Sequence, residues 1–546
     1  MLKFLIYILA VYAVGEEPVV HWGGSPLRNN VSSAVGLVED WHPGQFDRRS
    51  RNWTGGDKVK NIRWAAPLGA TSYSTPLVAG RKVFSGTNNK SGFDPKYPPE
   101  VDLGVLVVHH YDTGQRLGQI AWEKLEGTMD WPEQGICSNP AVEGNRLWIL
   151  TNRNEIVCLN IEPEVPEILW SFNIMQRLQT KPHHASCSSV LIIDDLLFSG
   201  TSNGVGPDEK AVLAPTAPSF IALDKTTGEL VWSDASPGEN ILDGGWGSPC
   251  SLQWTDAAGK PRTQVIFPGG DGWLYGFEVV PKEEAASSQN RVLPSWKFDC
   301  NPKNSIWKGH GSGDRNILIA TPVVQGTRVY IATGQDPESG SGPGILWCLD
   351  PTGSVGVPPA PGFADVSSAN GEECGRDARA PMDLSEHLVL DVEDKAVPPG
   401  RTQAIDESQG EKLVANPDSA VIWSYHGKNP ASKEFEDRFH RTISPVVVAD
   451  GLVFVGDFSG VAHCLDAQTG ECCWTYDMMS TIWGGALAAD GRFFLGDTDG
   501  DVAIFKISKD FNLLKEINMG AGIYGSPVAV GQSILISTSR YVFVVE

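Results

Sequence analysis

No stretch of this 546-residue sequence carries an amphipathic helical pattern of convincing length, which excludes a helical bundle or an alternating α/β fold. Beyond Val14 no segment is long and apolar enough to cross a bilayer, so no membrane span is expected. Positive charge is scarce. Lys and Arg number 43 against 66 acidic residues, a formal net charge of −23. That balance argues against nucleic acid or anionic lipid as partners, because both are polyanions. No Cys-x-x-Cys-His occurs, so no haem is attached, and the ten cysteines form no zinc-like cluster.

What is present first is an N-terminal apolar run, Phe4 to Val14, behind a single basic residue, Lys3, with small residues at Ala13 and Gly15. This pattern predicts a secretory signal peptide over residues 1–15 and a secreted or periplasmic protein. A polar leader, residues 16–59, follows and contains His21-Trp22-Gly23-Gly24-Ser25-Pro26.

From there the chain repeats itself. Leu223-Asp224-Lys225-Thr226-Thr227-Gly228-Glu229-Leu230-Val231-Trp232 returns as Leu465-Asp466-Ala467-Gln468-Thr469-Gly470-Glu471-Cys472-Cys473-Trp474. Shorter forms are Tyr111-Asp112-Thr113-Gly114 and Leu349-Asp350-Pro351-Thr352-Gly353. Upstream of these lies a second signature: Thr75-Pro76, Asn139-Pro140, Thr321-Pro322, Ser444-Pro445 and Ser526-Pro527, each leading into a β-branched run, with weaker copies at Ser188, Ser248 and Gly485. That makes eight starts. Each copy reads as four short strands bounded by Gly, Asp and Asn turns. A period of about 40–45 residues of this kind predicts an all-β, eight-bladed β-propeller of four-stranded antiparallel blades. Trp122, Trp170, Trp232, Trp296, Trp423 and Trp474 each close one copy, and the seventh has Leu513-Leu514-Lys515 instead. The last copy ends at Glu546 before its fourth strand, so Asn61–Ala66, carrying Trp64, is expected to supply that strand and close a ring over residues 60–546. The leader is expected to lie across one face of the ring. Residues 354–419, acidic and rich in Pro and Gly, interrupt the fifth copy and are expected to lack strands.

The Leu-Asp-x-x-Thr-Gly-x-x-x-Trp phrase resembles the tryptophan-docking motif of pyrroloquinoline quinone (PQQ) repeats. Eight copies resemble the propeller of quinoprotein alcohol dehydrogenases and of the outer-membrane assembly protein BamB. Asp130-Trp131-Pro132-Glu133-Gln134-Gly135-Ile136-Cys137, Phe267-Pro268-Gly269-Gly270-Asp271-Gly272-Trp273 and Phe439-His440-Arg441-Thr442-Ile443-Ser444 are similar to stretches in secreted bacterial PQQ-repeat proteins. No Cys lies near the expected cleavage site, so the lipid attachment typical of BamB is not expected.

Cys158, Cys348 and Cys464 occupy one strand position that holds Ala222 in the third copy, which reads as a small buried slot rather than a disulfide framework. Quinoprotein dehydrogenases form a vicinal disulfide over their cofactor. Cys472-Cys473 replaces Leu230-Val231, so its side chains fall on opposite faces of an outer strand, away from the channel.

The loops leading into the innermost strands build one face of a propeller, and functional side chains crowd them. The candidate ligand-binding residues are Asp130, Trp131, Glu133, His183, His184, Asp243, Trp246, His310, Arg315, Asn316, Arg438, His440, Arg441, Trp483 and Tyr524. No metal site is assigned. His183 and His184 are adjacent, so their side chains are expected to diverge, and Asp497-Thr498-Asp499-Gly500-Asp501 lacks EF-hand spacing and reads as a hairpin turn. Two functions follow from the resemblance. The first is a binding or scaffold module, expected as a monomer, for a protein or cell-envelope ligand. The second is a PQQ- and Ca²⁺-dependent dehydrogenase. That family's site needs a vicinal disulfide, a tryptophan floor (Trp246 or Trp483 here), Glu/Asn/Asp ligands and an Asp base, and the ligands do not match residue by residue. A hydrolase or lyase using His440 with Arg438 or Arg441 is a third reading that the spacing does not select.

Overall fold

A computed structural model describes residues 20–92, 95–287, 290–309, 311–353 and 380–546. The expected signal peptide lies outside the described residues. Eight sheets follow one another along the chain, each a meander of four antiparallel strands. Blade 1 is made of Leu77–Ala79, Lys82–Asn88, Leu103–His110 and Arg116–Glu123. Blades 2 to 7 start at Ala141, Leu191, Cys250, Val323, Val447 and Leu487, and blade 8 at Val528. The fourth strand of blade 8 is Ile62–Pro67, which pairs with Tyr541–Val545 so that Trp64 faces Val544. The ring is therefore closed by both ends of the described chain, and no blade is left with a missing strand.

The repeat phrase is a lock between neighbouring blades. Its Asp caps the turn: Asp224 Oδ1 accepts the N–H groups of Thr226 (2.8 Å) and Thr227 (2.9 Å), and Asp466 Oδ1 those of Gln468 (2.8 Å) and Thr469 (3.0 Å). Its Gly has positive φ, +69° at Gly114, +74° at Gly228 and +75° at Gly470. The indole of the preceding blade lies on each of these glycines. A Cβ would stand 2.6 Å from the ring of Trp64, Trp170 or Trp423 respectively. Only Gly meets both demands, backbone conformation and flat contact. Indole N–H groups complete the lock: Trp64 donates to Tyr111 O (2.8 Å), Trp423 to Ala467 O (3.2 Å) and Trp474 to Ser508 O (3.0 Å).

The cysteine slot has the same origin. Cys158 sits between Trp148 and Trp170, Cys348 between Tyr330 and Trp423, and Cys464 between Phe454 and Trp474. Flanked by aromatic rings on both sides, the position takes only a small residue, and all three are fully buried and free. Trp296 departs from the pattern. It lies over Gly276 of its own blade and donates to Gln264 Oε1 (2.8 Å).

The interrupting segment is more ordered than its composition suggests. Among its described residues it forms Met382–Asp383, His387–Leu390 and Lys412–Ala415. Met382–Asp383 adds parallel to the outer strand of blade 4 at Trp296 and Lys297, covering an edge whose amides and carbonyls would otherwise be open. Strands of two to four residues between Pro and Gly leave no period to read.

The leader runs across the channel. Val20–His21 pairs with Ala141 and Val142 of blade 2, and His21 Nε2 accepts Ile192 N–H of blade 3 (3.1 Å). The buried Arg28 guanidinium donates to Pro249 O (3.0 Å), Val190 O (2.9 Å), Ser189 O (3.3 Å) and Trp22 O (3.1 Å). Pro26 O and Leu27 O accept from Ser251 of blade 4 and Val324 of blade 5. Asn29 exchanges two hydrogen bonds with Val448 of blade 6, and Asn30 donates to Ala486 O of blade 7 and Pro527 O of blade 8. These contacts fall on the innermost strands beyond the loops that lead into them, so the leader plugs the far half of the channel.

Replacing Trp64 with Ala removes the closing indole and is expected to lower stability by about 3–5 kcal/mol. Leu513→Ala, at the half-exposed place where blade 7 lacks its indole, is expected to cost less than half of that. Urea unfolding midpoints of the two variants check the order.

Candidate functional site

The lead-in loops of the blades surround a funnel of about 720 Å³. Residues 20–30 of the leader bond to the innermost strands farther along the channel. Its wall is a ring built by one register position. With the third signature counted from Ser189 rather than Ser188, the residue two places before Thr75, Asn139, Ser189, Ser248, Thr321, Gly485 and Ser526 lines it: Tyr73, Cys137, Cys187, Trp246, Ile319, Trp483 and Tyr524. The signature residue itself ties the blades together below. Ser526 N–H donates to Thr75 Oγ1 (3.0 Å), Thr75 N–H to Asn139 Oδ1 (2.6 Å), Asn139 N–H to Ser189 Oγ (2.9 Å) and Ser189 N–H to Ser248 Oγ (2.9 Å).

Two aromatic groups face the funnel. Tyr73, Trp483 and Tyr524 touch one another with ring centroids 5.1–5.3 Å apart. Trp131 packs against His184 at 4.9 Å, and Trp246 stacks beyond His184 at 6.3 Å. The charged lining is acidic: Glu133, Asp336 and Glu338, with no Lys or Arg among the described lining residues. Burial pushes the Tyr73 phenol up. The Cys137 thiol is pushed up by its hydrogen bond with Cys187 and by burial. Burial pulls His184 down, but Asp336, with Asp243 and Glu209, outweighs it and leaves the imidazole above its ordinary value.

Of the candidate residues, Trp131, Glu133, His184, Trp246, Trp483 and Tyr524 line the funnel. Asp130, His183, Asp243, Arg315, Asn316, His440 and Arg441 are buried in the wall behind it. Asp130 pairs with Lys124 and accepts from Asn152 (2.9 Å). Arg315 lies 3.2 Å from Asp299 Oδ2. Arg441 donates to Asn316 Oδ1 (3.3 Å), Ser339 O (3.2 Å) and Gly313 O (3.1 Å), which pins loops of blade 5. His440 Nδ1 and His463 Nε2 both face Asp457 Oδ2, at 2.8 and 3.1 Å. These buried residues hold loops in place. Arg438 is exposed, and His310 lies outside the described residues.

The expected divergence of His183 and His184 is overturned. His184 has φ +57°, and Ala185 N–H closes back onto His183 O at 2.7 Å. That backbone turns both imidazoles to one side, where they stack at 3.8 Å. The Asp497–Asp501 segment is a hairpin turn, with Asp497 Oδ1 accepting from Asp499 (3.0 Å) and Asp501 (2.9 Å).

A sequence profile described as "Outer membrane protein assembly factor BamB" matches residues 104–242 and 395–510. The chain is 21% identical over 439 residues to the quinoprotein alcohol dehydrogenase PedH of Pseudomonas putida, covering 71% of this chain and 67% of that protein. The chain is an eight-bladed β-propeller, and just under half of it matches that profile. Among solved structures it is similar to BamB from Moraxella catarrhalis (11% identity, TM-score 0.48, 88% of this chain and 96% of that one). It is also similar to the quinohemoprotein alcohol dehydrogenase of Comamonas testosteroni (12% identity, TM-score 0.43, 97% and 80%). The described funnel does not fit PQQ itself. Its described lining has no Lys or Arg to meet the carboxylates of an uncomplexed quinone, and its own carboxylates would repel them unless Ca²⁺ lay between. Cys472 and Cys473 sit on the outer strand Cys472–Asp477 of blade 6, in different apolar clusters and so on opposite faces.

The buried Asp457 gives a pH test of the wall. Burial raises its carboxyl, but hydrogen bonds from His440 and His463 prevail and hold it near about 2. A depressed carboxylate contributes stability above its unfolded value of about 3.9 and loses it as pH falls through the folded value. The expected contribution is roughly 2 kcal/mol, lost between about pH 4 and 2. Urea midpoints over that window should fall more steeply for the wild type than for Asp457→Asn.

Proposed function

We propose that this propeller is a secreted or periplasmic, monomeric binding module whose funnel receives a neutral or cationic segment of a protein or cell-envelope ligand. The observation that carries this reading is the lining: aromatic rings on two sides, Asp336, Glu338 and the Lys90-paired Glu133 between them, and no Lys or Arg among the described lining residues. Aromatic faces and carboxylates attract ammonium and guanidinium groups and repel polyanions. The volume suits a few side chains or a compact small ligand. The leader's hydrogen bonds to the innermost strands of blades 2 to 8 support binding over passage. The match to the BamB profile supports the same reading. The match to the quinoprotein dehydrogenase is 21% identical, and likeness at that level speaks for the fold rather than a reaction.

Titration of tryptophan fluorescence with a tetralysine and a tetraglutamate peptide tests this reading. Tetralysine is expected to bind at least tenfold more tightly, and Trp483→Ala to weaken it by about tenfold, in the range of a partly desolvated cation–π contact. The reverse preference would overturn the proposal. PQQ with Ca²⁺ is expected to give no saturable thermal stabilisation, and a saturable one would restore the dehydrogenase reading.

A further inference from the structure

We propose that His183, His184 and Glu209 form a binding site for a divalent transition-metal ion of the zinc class in the funnel wall, with Asp243 and Asp336 orienting the imidazoles. A donor atom from each of the three residues lies within 4.8 Å of the other two. Their placement is built by the backbone. The three-residue turn centred on His184, with φ +57°, belongs to a rare and strained class. Neighbouring loops hold both its carbonyls. Trp131 N–H donates to His184 O (2.6 Å), and the Trp246 indole N–H to His183 O (2.8 Å).

A second observation is a buried imidazole–carboxylate pair of the kind that orients a metal-bound histidine. His183 Nε2 and both carboxylate oxygens of Asp243 are deeply buried without a hydrogen-bond partner. Nε2 stands 3.1 Å from Asp243 Oδ1, close enough for an ion pair yet not aligned for a hydrogen bond. Leaving a buried carboxylate and imidazole unsatisfied is costly. Asp336 Oδ2 stands 3.8 Å from Nδ1 of His184, and its other oxygen accepts Glu338 N–H (2.8 Å). Metal-bound imidazoles give one nitrogen to the ion and the other to a carboxylate or carbonyl that fixes the tautomer. Each imidazole here has a carboxylate beside one ring nitrogen and keeps the other for the ion.

The donor set selects the metal. Two imidazoles and one carboxylate suit zinc and its transition-metal neighbours, whereas Ca²⁺ takes six to eight oxygens. The two rings stack with centroids 3.8 Å apart, and an ion bound in the plane of both imidazoles requires them to unstack on loading. Glu209 is on a half-exposed loop of blade 3. With three protein donors, a fourth position stays open beside His184, which lines the funnel, so a bound ion would meet the ligand directly.

The test is calorimetric titration of EDTA-dialysed full-length protein with Zn²⁺, with Co²⁺ absorption as the spectroscopic readout. One Zn²⁺ per chain and a Co²⁺ visible spectrum with nitrogen ligation are expected. Glu209→Gln, on the half-exposed loop and so readable even if His183→Ala does not fold, should weaken Zn²⁺ at least tenfold. Asp243→Asn should weaken it by roughly 10–100-fold. Absence of stoichiometric Zn²⁺ binding, or binding indifferent to Glu209→Gln and His184→Ala, would overturn the site. Tighter binding of Ca²⁺ than Zn²⁺ would overturn the imidazole assignment. None of these outcomes depends on the peptide titration, so the two proposals fail separately.

Discussion

The contact of an indole with the glycine of the next blade's turn sets the geometry on which everything else rests. A four-stranded blade cannot bury both of its faces by itself, so its stability is borrowed from its neighbours. The indole fixes how closely and at what angle the next blade approaches, because a flat ring against a bare Cα leaves no room for adjustment. The small residue opposite the indole, Cys158, Cys348 or Cys464, follows from the same packing, since the ring and the second-strand aromatic converge over it. Trp64 applies the rule to the last junction, and the ring closes without a special device.

Closing the ring creates a channel, and the channel poses a problem of its own. Innermost strands present unpaired amides and carbonyls toward it, which must find partners. The leader answers by running across these strands, and Arg28 alone satisfies three carbonyls on blades 3 and 4 while remaining buried itself. Burial depresses that guanidinium to about 10, still well above neutrality, so the charge persists and the carbonyl cluster keeps its donor. The plug is thus part of the fold, and the funnel is what remains on the other side.

Repeat architecture was readable because every copy meets the same neighbour, and the same residues recur for the same reason. The register ring of the funnel was equally readable in principle. Tyr73 stands two places before Thr75, as Tyr524 stands two places before Ser526, and aligning the copies one step further would have found it. What could not be read is which polar loop residues turn inward. Arg315 and Arg441 look like ligand-binding cations in a list of loop residues. Only the fold shows that Asp299 and the blade 5 carbonyls already occupy them. Polarity is a property of the residue, whereas availability depends on partners far away in sequence. His183 and His184 illustrate the other limit, because adjacency implies divergence only while the backbone is extended. A single positive φ reverses the argument.

The acidity of the funnel then has a structural cause as well as a functional consequence. Described cations near the lead-in loops are spent on fixing those loops: Lys124 on Asp130, Arg315 on Asp299, Lys90 on Glu133. Asp336 and Glu338 line the cavity, and Asp336 and Asp243 have imidazoles beside them, at 3.8 Å from His184 and 3.1 Å from His183. Such a field acts on whatever enters. A polyanionic cofactor would have to overcome it, whereas a cationic segment or a metal ion would relieve it. The same arrangement that disfavours an uncompensated anion favours positive charge.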